Sequence, residues 1–330
     1  MKRLLAMLLA GASFSAAAMY VNPNGTGQAL IFPYFTAQSA NGNDFNTYVT
    51  ISNRLDEPSK ALRVRFREGR NGRELASFNL FLKTGDAWSA AIVPVAAGAV
   101  LITRDPSCTS PRIFHDFSAS PPTLIFSSAA YTGANADDLG TDVQRQREGY
   151  IEVFEMGTLQ SDDTCETLDR GQTALPILPP SGGISGTLTV INVAEGLDFT
   201  VNAEALEDVA TQPYFRAAPS PYPDWTAAEI SRVSSFLAGN RMYRTTWPNG
   251  VGALDAALMR TTIDNEIVLD EATGSATDWV ITAPTRRFHL GPPATPPFDG
   301  VLRPGNDIAL SLDFATREGE RTLLDRRAHV

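Results

Sequence analysis

The sequence predicts an all-β, mostly antiparallel protein made of immunoglobulin-like β-sandwich units with one short helical insertion. Three observations predict it. Residues 45–82 hold three apolar/polar alternations in succession: Val49 and Ile51 against Tyr48, Thr50 and Ser52; Leu62, Val64 and Phe66 against Arg63, Arg65 and Arg67; Ala76, Phe78, Leu80 and Leu82 against Ser77, Asn79 and Phe81. Side chains leave a strand on opposite faces with period two, so each run has one face for a core and one for solvent. Two turn signals, residues 53–58 and Gly69-Arg70-Asn71-Gly72, separate the runs and make them a meander. Further strand-like runs recur at short spacing with no helical period between them, as in an antiparallel sandwich rather than a parallel sheet.

Taken in order, the chain opens with Lys2 and Arg3, an apolar run from Leu4 to about Phe14, and Ala16-Ala17-Ala18. This is the pattern of a secretory signal peptide over 1–18, cut before Met19. The run is too short to anchor in a bilayer, and no later segment approaches the ~20 apolar residues of a transmembrane helix, so no membrane anchor is expected. Residues 28–35 read as an apolar strand. Pro33 within it has no N–H to donate, which predicts an edge strand or one ending near Pro33. Strands follow at 87–93 and 99–103. Residues 104–148 are the least periodic and read as long loops, with a short strand near Leu124-Ile125-Phe126. A strong strand at 147–157 comes next.

The Pro/Gly-rich 176–185 reads as a linker between an N-terminal sandwich (19–175) and a second β unit (186–314). That unit opens with a hairpin, 186–193 and 197–206, about Glu195-Gly196. The predicted helix is 227–238: Thr226 and Glu229 form a capping box, Ile230, Val233 and Leu237 share a face, and Gly239 suits the stop. Strands are expected again at 266–269, 277–282, 286–290 and 306–314. Residues 315–330 lack alternation and are expected to be a disordered tail that leaves 306–314 as an open edge.

With 330 residues and 43% hydrophobic content the chain has ample material for a core. A net charge of -10 and a pI near 4.9 exclude nucleic acid as a partner, because phosphate binding needs a strongly basic surface. Cys108 and Cys165, an even pair behind an export signal, are expected to form a disulfide, which a loop of this length makes worth about 4 kcal/mol. Two cysteines and the scattered His115, His289 and His329 are too few for a metal centre, and no cofactor is expected.

The densest charge cluster is Arg63, Arg65 and Arg67, with Arg70 and Arg73 in the following turn. Bidentate arginine contacts suit an anionic polysaccharide or headgroup; the plainer expectation is the solvated face of an amphipathic strand. Asp137, Asp138 and Asp142 are a weak calcium candidate without an EF-hand's spacing, and loop solvation explains them more simply. Trp225 and Trp247, beside Pro223 and Pro248, are the candidates for stacking on sugar rings, whereas Trp88 and Trp279 suit a core or a sheet surface. Gly183-Ile184-Ser185-Gly186 departs from the esterase elbow, and Glu152 and Glu155 have the odd spacing that puts two side chains on opposite faces of one strand. Hydrolytic chemistry therefore has no carrier in the local pattern, and an enzyme is not expected.

Four stretches carry a resemblance: GQALIFPYFT at 27–36, VRFREGRNGRE at 64–74, REGYIEVFEMG at 147–157 and TDWVITAPTRRFHL at 277–290. Together they resemble an uncharacterised family of proteobacterial exported proteins usually termed cell-surface proteins. The resemblance implies export and residence at the cell surface or in the periplasm, and it carries no catalytic residues. The expected function is a structural or binding protein of the envelope, its partner a surface polysaccharide or another envelope protein; the alternative is a carbohydrate-binding module or a glycan-active hydrolase.

Overall fold

The structure is a computed structural model that describes residues 17–40, 42–56, 58–113, 123–137, 139–159, 176–218, 220–259 and 280–289, together with the backbone of 308–310, 314–318 and 321–325. In chain order the strands are β1 (Tyr20–Val21), β2 (Ala29–Thr36), β3 (Ser39–Ala40), β4 (Asn43–Asn53), β5 (Ser59–Glu68), β6 (Glu74–Leu82), β7 (Ala87–Val95), β8 (Gly98–Ile102), β9 (Cys108–Ser110), β10 (Thr123–Ile125) and β11 (Glu148–Leu159). They continue with β12 (Ile177–Leu178), β13 (Ile184–Asn192), β14 (Leu197–Asn202), β15 (Glu204–Glu207), β16 (Val233–Ala238) and β17 (Arg241–Thr246). After helix α1 (Gly250–Leu258) come β18 (Val280–Thr282), β19 (Ile308–Leu310), β20 (Phe314–Glu318) and β21 (Arg321–Asp325).

The all-β, antiparallel expectation holds. One sheet runs β1-β15-β2-β11-β5-β6-β9 and the other β10-β8-β7-β4-β13-β14. The predicted meander divides between them. The first run becomes β4 in the second sheet, while β5 and β6 pair in the first through Leu62↔Leu80 and Val64↔Phe78. Their inner faces meet in a core that holds Phe32, Val64, Phe66, Phe78 and Val153 from one sheet and Val49, Ile51, Trp88, Leu188 and Val190 from the other. Phe78 packs on Trp88 with ring centroids 5.4 Å apart, and Phe66 on Phe126 at 5.1 Å. Each such side chain contributes roughly 1.5–3 kcal/mol by leaving water.

The two halves of the sequence are not separate sandwiches. β13 bonds to β4 from Ile184↔Asn53 to Asn192↔Phe45, and β15 bonds to β2. The expected boundary at 176–185 therefore falls inside one pair of sheets, because strands from both sides of it complete the same ladders. β2 is likewise no edge strand: it lies between β15 and β11. Pro33 falls where the β2–β11 register shifts between Gly149 and Ile151, so the missing N–H is absorbed by a bulge.

A third layer covers the outer face of the first sheet. Ile31, Phe154 and Met156 from that face pack with Met19, Val209, Tyr214, Trp225, Ile230, Val251 and Leu254 in a second core. The helix in this layer is α1, not 227–238. Asn249 caps it by accepting from the Gly252 N–H at 3.1 Å, and Val251, Ala253, Leu254 and Ala257 face the core. Thr226, expected as a cap, instead donates to Asp224, and Glu229 pairs with Arg216. Val233–Ala238 forms the β16–β17 hairpin with Arg241–Thr246. Residues 286–288 form a 3-10 turn rather than a strand.

Near the chain end β18 pairs with β19 and β20 with β21. Phe314–Glu318 and Arg321–Asp325 thus pair as strands where a tail without strand character was expected, and within the expected strand 306–314 the described residues are Ile308–Leu310, in β19, and Phe314, which opens β20. The expected strand 266–269 and the residues 1–16 lie outside the described residues.

Candidate functional site

Strands β5 and β11 are the middle of the three-layer stack, and every residue of β5 is buried. Arg63, Arg65 and Arg67 point away from the sandwich core and yet are only 1%, 5% and 6% exposed. The expectation of a solvated arginine face is overturned, because the layer built from residues 209–258 lies over it. A strand's second face can hold charge under cover only if partners are supplied.

Glu152, on β11 opposite Arg65, is the main partner. Its Oε2 accepts from Arg67 Nε at 2.8 Å; its Oε1 accepts from the Trp225 indole at 2.8 Å and from Arg287 at 3.1 Å. Burial alone would raise the Glu152 carboxyl, but Arg287, Arg67 and Arg65 outweigh it and hold it at about 2. Arg65 pairs with Glu74 and donates to the Pro223 carbonyl at 2.6 Å. Arg63 has one partner, the Arg216 carbonyl at 3.1 Å, and its Nε and Nη1 have none among the described residues. Burial, with Arg65 alongside, pulls Arg63 down to about 10.

Trp225 is fully buried against Phe154, with ring centroids 4.7 Å apart, so it is a core residue and not a sugar platform. Trp247 is half-buried, donates to Ser234 Oγ at 2.8 Å and packs on the second core. Arg70 pairs with Asp142 at 2.8 Å, and Arg73 lies 3.9 Å from Asp137. Asp137 takes a bidentate contact from Arg145, which holds its carboxyl at about 2, and Arg145 also forks onto buried Glu68. Of the weak calcium candidate, Asp137 and Asp142 are each paired with an arginine. Asp138 lies outside the described residues, among which no group of three His, Cys, Asp or Glu side chains is placed to hold a metal. Cys108 begins β9, no free cysteine occurs among the described residues, and Cys165 lies outside them.

A third buried pair, Lys60 and Glu155 at 2.8 Å, sits at one end of the sandwich, where the Ser181 and Gly182 N–H groups also donate to Glu155. Glu152 and Glu155 thus do fall on opposite faces. Burial, together with the neighbouring Glu155 and Asp208 charges, pushes Glu207 up to about 7.

A cleft of about 330 Å³ lies in the covering layer, lined by Tyr214, Arg216, Tyr222, Pro223, Thr226, Ala227, Ala228 and Glu229. Its walls are tied to the row beneath by the Arg63–Arg216 and Arg65–Pro223 bonds. Sequence reasoning missed this cleft, since residues 214–229 carry no periodic pattern. A usable signal was Glu152, an acid between Ile151 and Val153 in an otherwise apolar stretch of the strand, which marks a buried ion pair on the covered face. A shallower depression of about 530 Å³ lies between Gln38, Asn43, Phe45 and Glu195. Strands β2, β11 and β5 are adjacent in the first sheet, and residues 280–289 bring Arg287 to Glu152. No family model, curated protein or solved structure matches this chain.

Proposed function

We propose that this chain is an exported protein of the cell surface or periplasm that binds a saccharide of the envelope in the cleft over β5. The observation that carries the reading is the cleft itself, lined by Tyr214, Arg216, Tyr222, Pro223 and Glu229 and tied to the buried arginines of β5 through the Arg216 and Pro223 carbonyls. A concave site rimmed by aromatic and polar side chains is the usual form of a small-molecule site. The charged start, apolar run and Ala16-Ala17-Ala18 support export. Met19 is fully buried in the second core and its N–H bonds to the Val233 carbonyl at 2.8 Å, so a chain cut before Met19 loses only Ala18 of the buried apolar residues described. Export also supports a Cys108–Cys165 disulfide.

The test is a glycan array probed with the exported chain. Retention of a defined set of envelope glycans, reduced by Tyr222→Ala at the cleft mouth, is the expected result; an array with no retained glycan overturns the reading. N-terminal sequencing of the exported protein is expected to return Met19, and a sequence starting at Met1 would refute the cleavage.

A further inference from the structure

We propose that the cleft takes an acidic saccharide, its carboxylate held by Arg63 and Tyr214 and its ring lying against Tyr222. This rests on the saccharide-binding reading above and names the ligand's charge. The first observation is a charge excess. Among the described residues, Arg63, Arg65 and Arg67 lie with the carboxylates of Glu74 and Glu152 in one covered cluster, three guanidiniums against two carboxylates. An uncompensated charge out of water is costly, so a cluster with surplus cations favours an anion.

The second observation is where the unused hydrogen-bonding capacity sits. Arg63 Nε and Nη1 and the hydroxyl of Tyr214 have no partner among the described residues, although both residues are 1% exposed. Tyr214 lines the cleft, and Arg63 bonds to the backbone of Arg216 in its wall. Buried polar groups are ordinarily satisfied, and these are donors suited to a carboxylate. Asn79, paired with Arg63 across the β5–β6 ladder, adds an orphaned acceptor in Oδ1, while its Nδ2 bonds to the Arg216 carbonyl at 3.0 Å. An acceptor beside the donors suits a hydroxyl-bearing ligand better than a bare anion. Tyr222, 48% exposed at the mouth, offers a ring face to a sugar.

The Arg216–Glu229 pair lines the same cleft. That pair is 3.0 Å long with side chains 44% and 27% exposed, and such surface pairs are cheap to break.

Calorimetric titration of the exported chain with glucuronate, glucose and inorganic phosphate tests the proposal. Glucuronate is expected to bind at least tenfold more tightly than glucose or phosphate, with affinity falling at least tenfold in Arg63→Gln and severalfold in Tyr222→Ala. The Tyr222 variant changes an exposed side chain, so it keeps the test decisive if Arg63→Gln does not fold. Equal binding of glucose and glucuronate, or glucuronate affinity unmoved by the folded variants, overturns the acidic-ligand proposal and leaves saccharide binding standing. Binding of phosphate without glucuronate also overturns it, and failure to bind any saccharide overturns both.

Discussion

Glu152 has no solvent exposure, and both its oxygens are engaged, by Arg67 on one side and by Arg287 and the Trp225 indole on the other. Its charge is what keeps three arginines under cover. Glu152→Gln leaves them without their shared anion and is expected to cost about 3–5 kcal/mol, read as a shift of the urea midpoint at unchanged slope. The carboxyl's folded pKa is lowered from 4.5 to about 2. The stability it contributes is therefore present above about pH 4.5 and is lost as pH falls toward 2. Glu207 has the opposite sign: its folded pKa is raised from 4.5 to about 7 by burial and by Glu155 and Asp208. Its contribution is complete below pH 4.5 and disappears as pH rises through 7. Glu207→Gln is accordingly expected to raise the melting temperature at pH 8 and to leave it almost unchanged at pH 4.5; a variant equally stabilised at both would refute the assignment.

Among the elements, the loop entering β13 depends on left-handed backbone geometry at Gly182 and Gly183. Gly182 has φ +74°, and an added Cβ would sit 2.6 Å from Glu207 Oε1 while the Gly182 N–H serves Glu155 at 2.8 Å. Gly182→Ala is expected to cost about 1–3 kcal/mol, since only glycine adopts this region without strain. Residues 227–238 show how a local signal loses. Thr226, Glu229 and Gly239 suit a helix, but Val233–Ala238 also alternates, and the partner Arg241–Thr246 gives it a ladder of six residue pairs. Met19 adds hydrogen bonds to Val233 and Ser235 on the outer side. The ladder partner lies beyond the stretch and Met19 more than two hundred positions before it, so a capping box read locally could not weigh them.

For the whole molecule, the interlocked sheets predict a single cooperative unit. Residues 19–175 expressed alone lack β13 beside β4 and β15 beside β2, and residues 186–330 lack the sheets that their strands complete. Neither fragment is expected to show dispersed amide resonances alone, and mixing the two is expected to restore them. A folded fragment 19–175 would show that the boundary in the sequence divides independent units after all.

The period-two alternation determined by itself that this is an antiparallel β protein, and it placed β4, β5, β6, β11 and the β13–β14 hairpin, because a strand's two-faced geometry is written in adjacent residues. The turns at 53–58 and 69–72 were legible for the same local reason. Only the tertiary structure decided what covers each second face. Arg63, Arg65 and Arg67 alternate with apolar residues whether water or protein lies over them; it is residues 209–258, more than a hundred positions away, that bury them and create the cleft. The same distance hides the pairing of Glu152 with Arg67 and Arg287, and the sharing of one pair of sheets by both halves. Burial and ion pairing depend on which distant segment closes over a face, and that is set by the summed packing of the folded chain rather than by any one stretch of it.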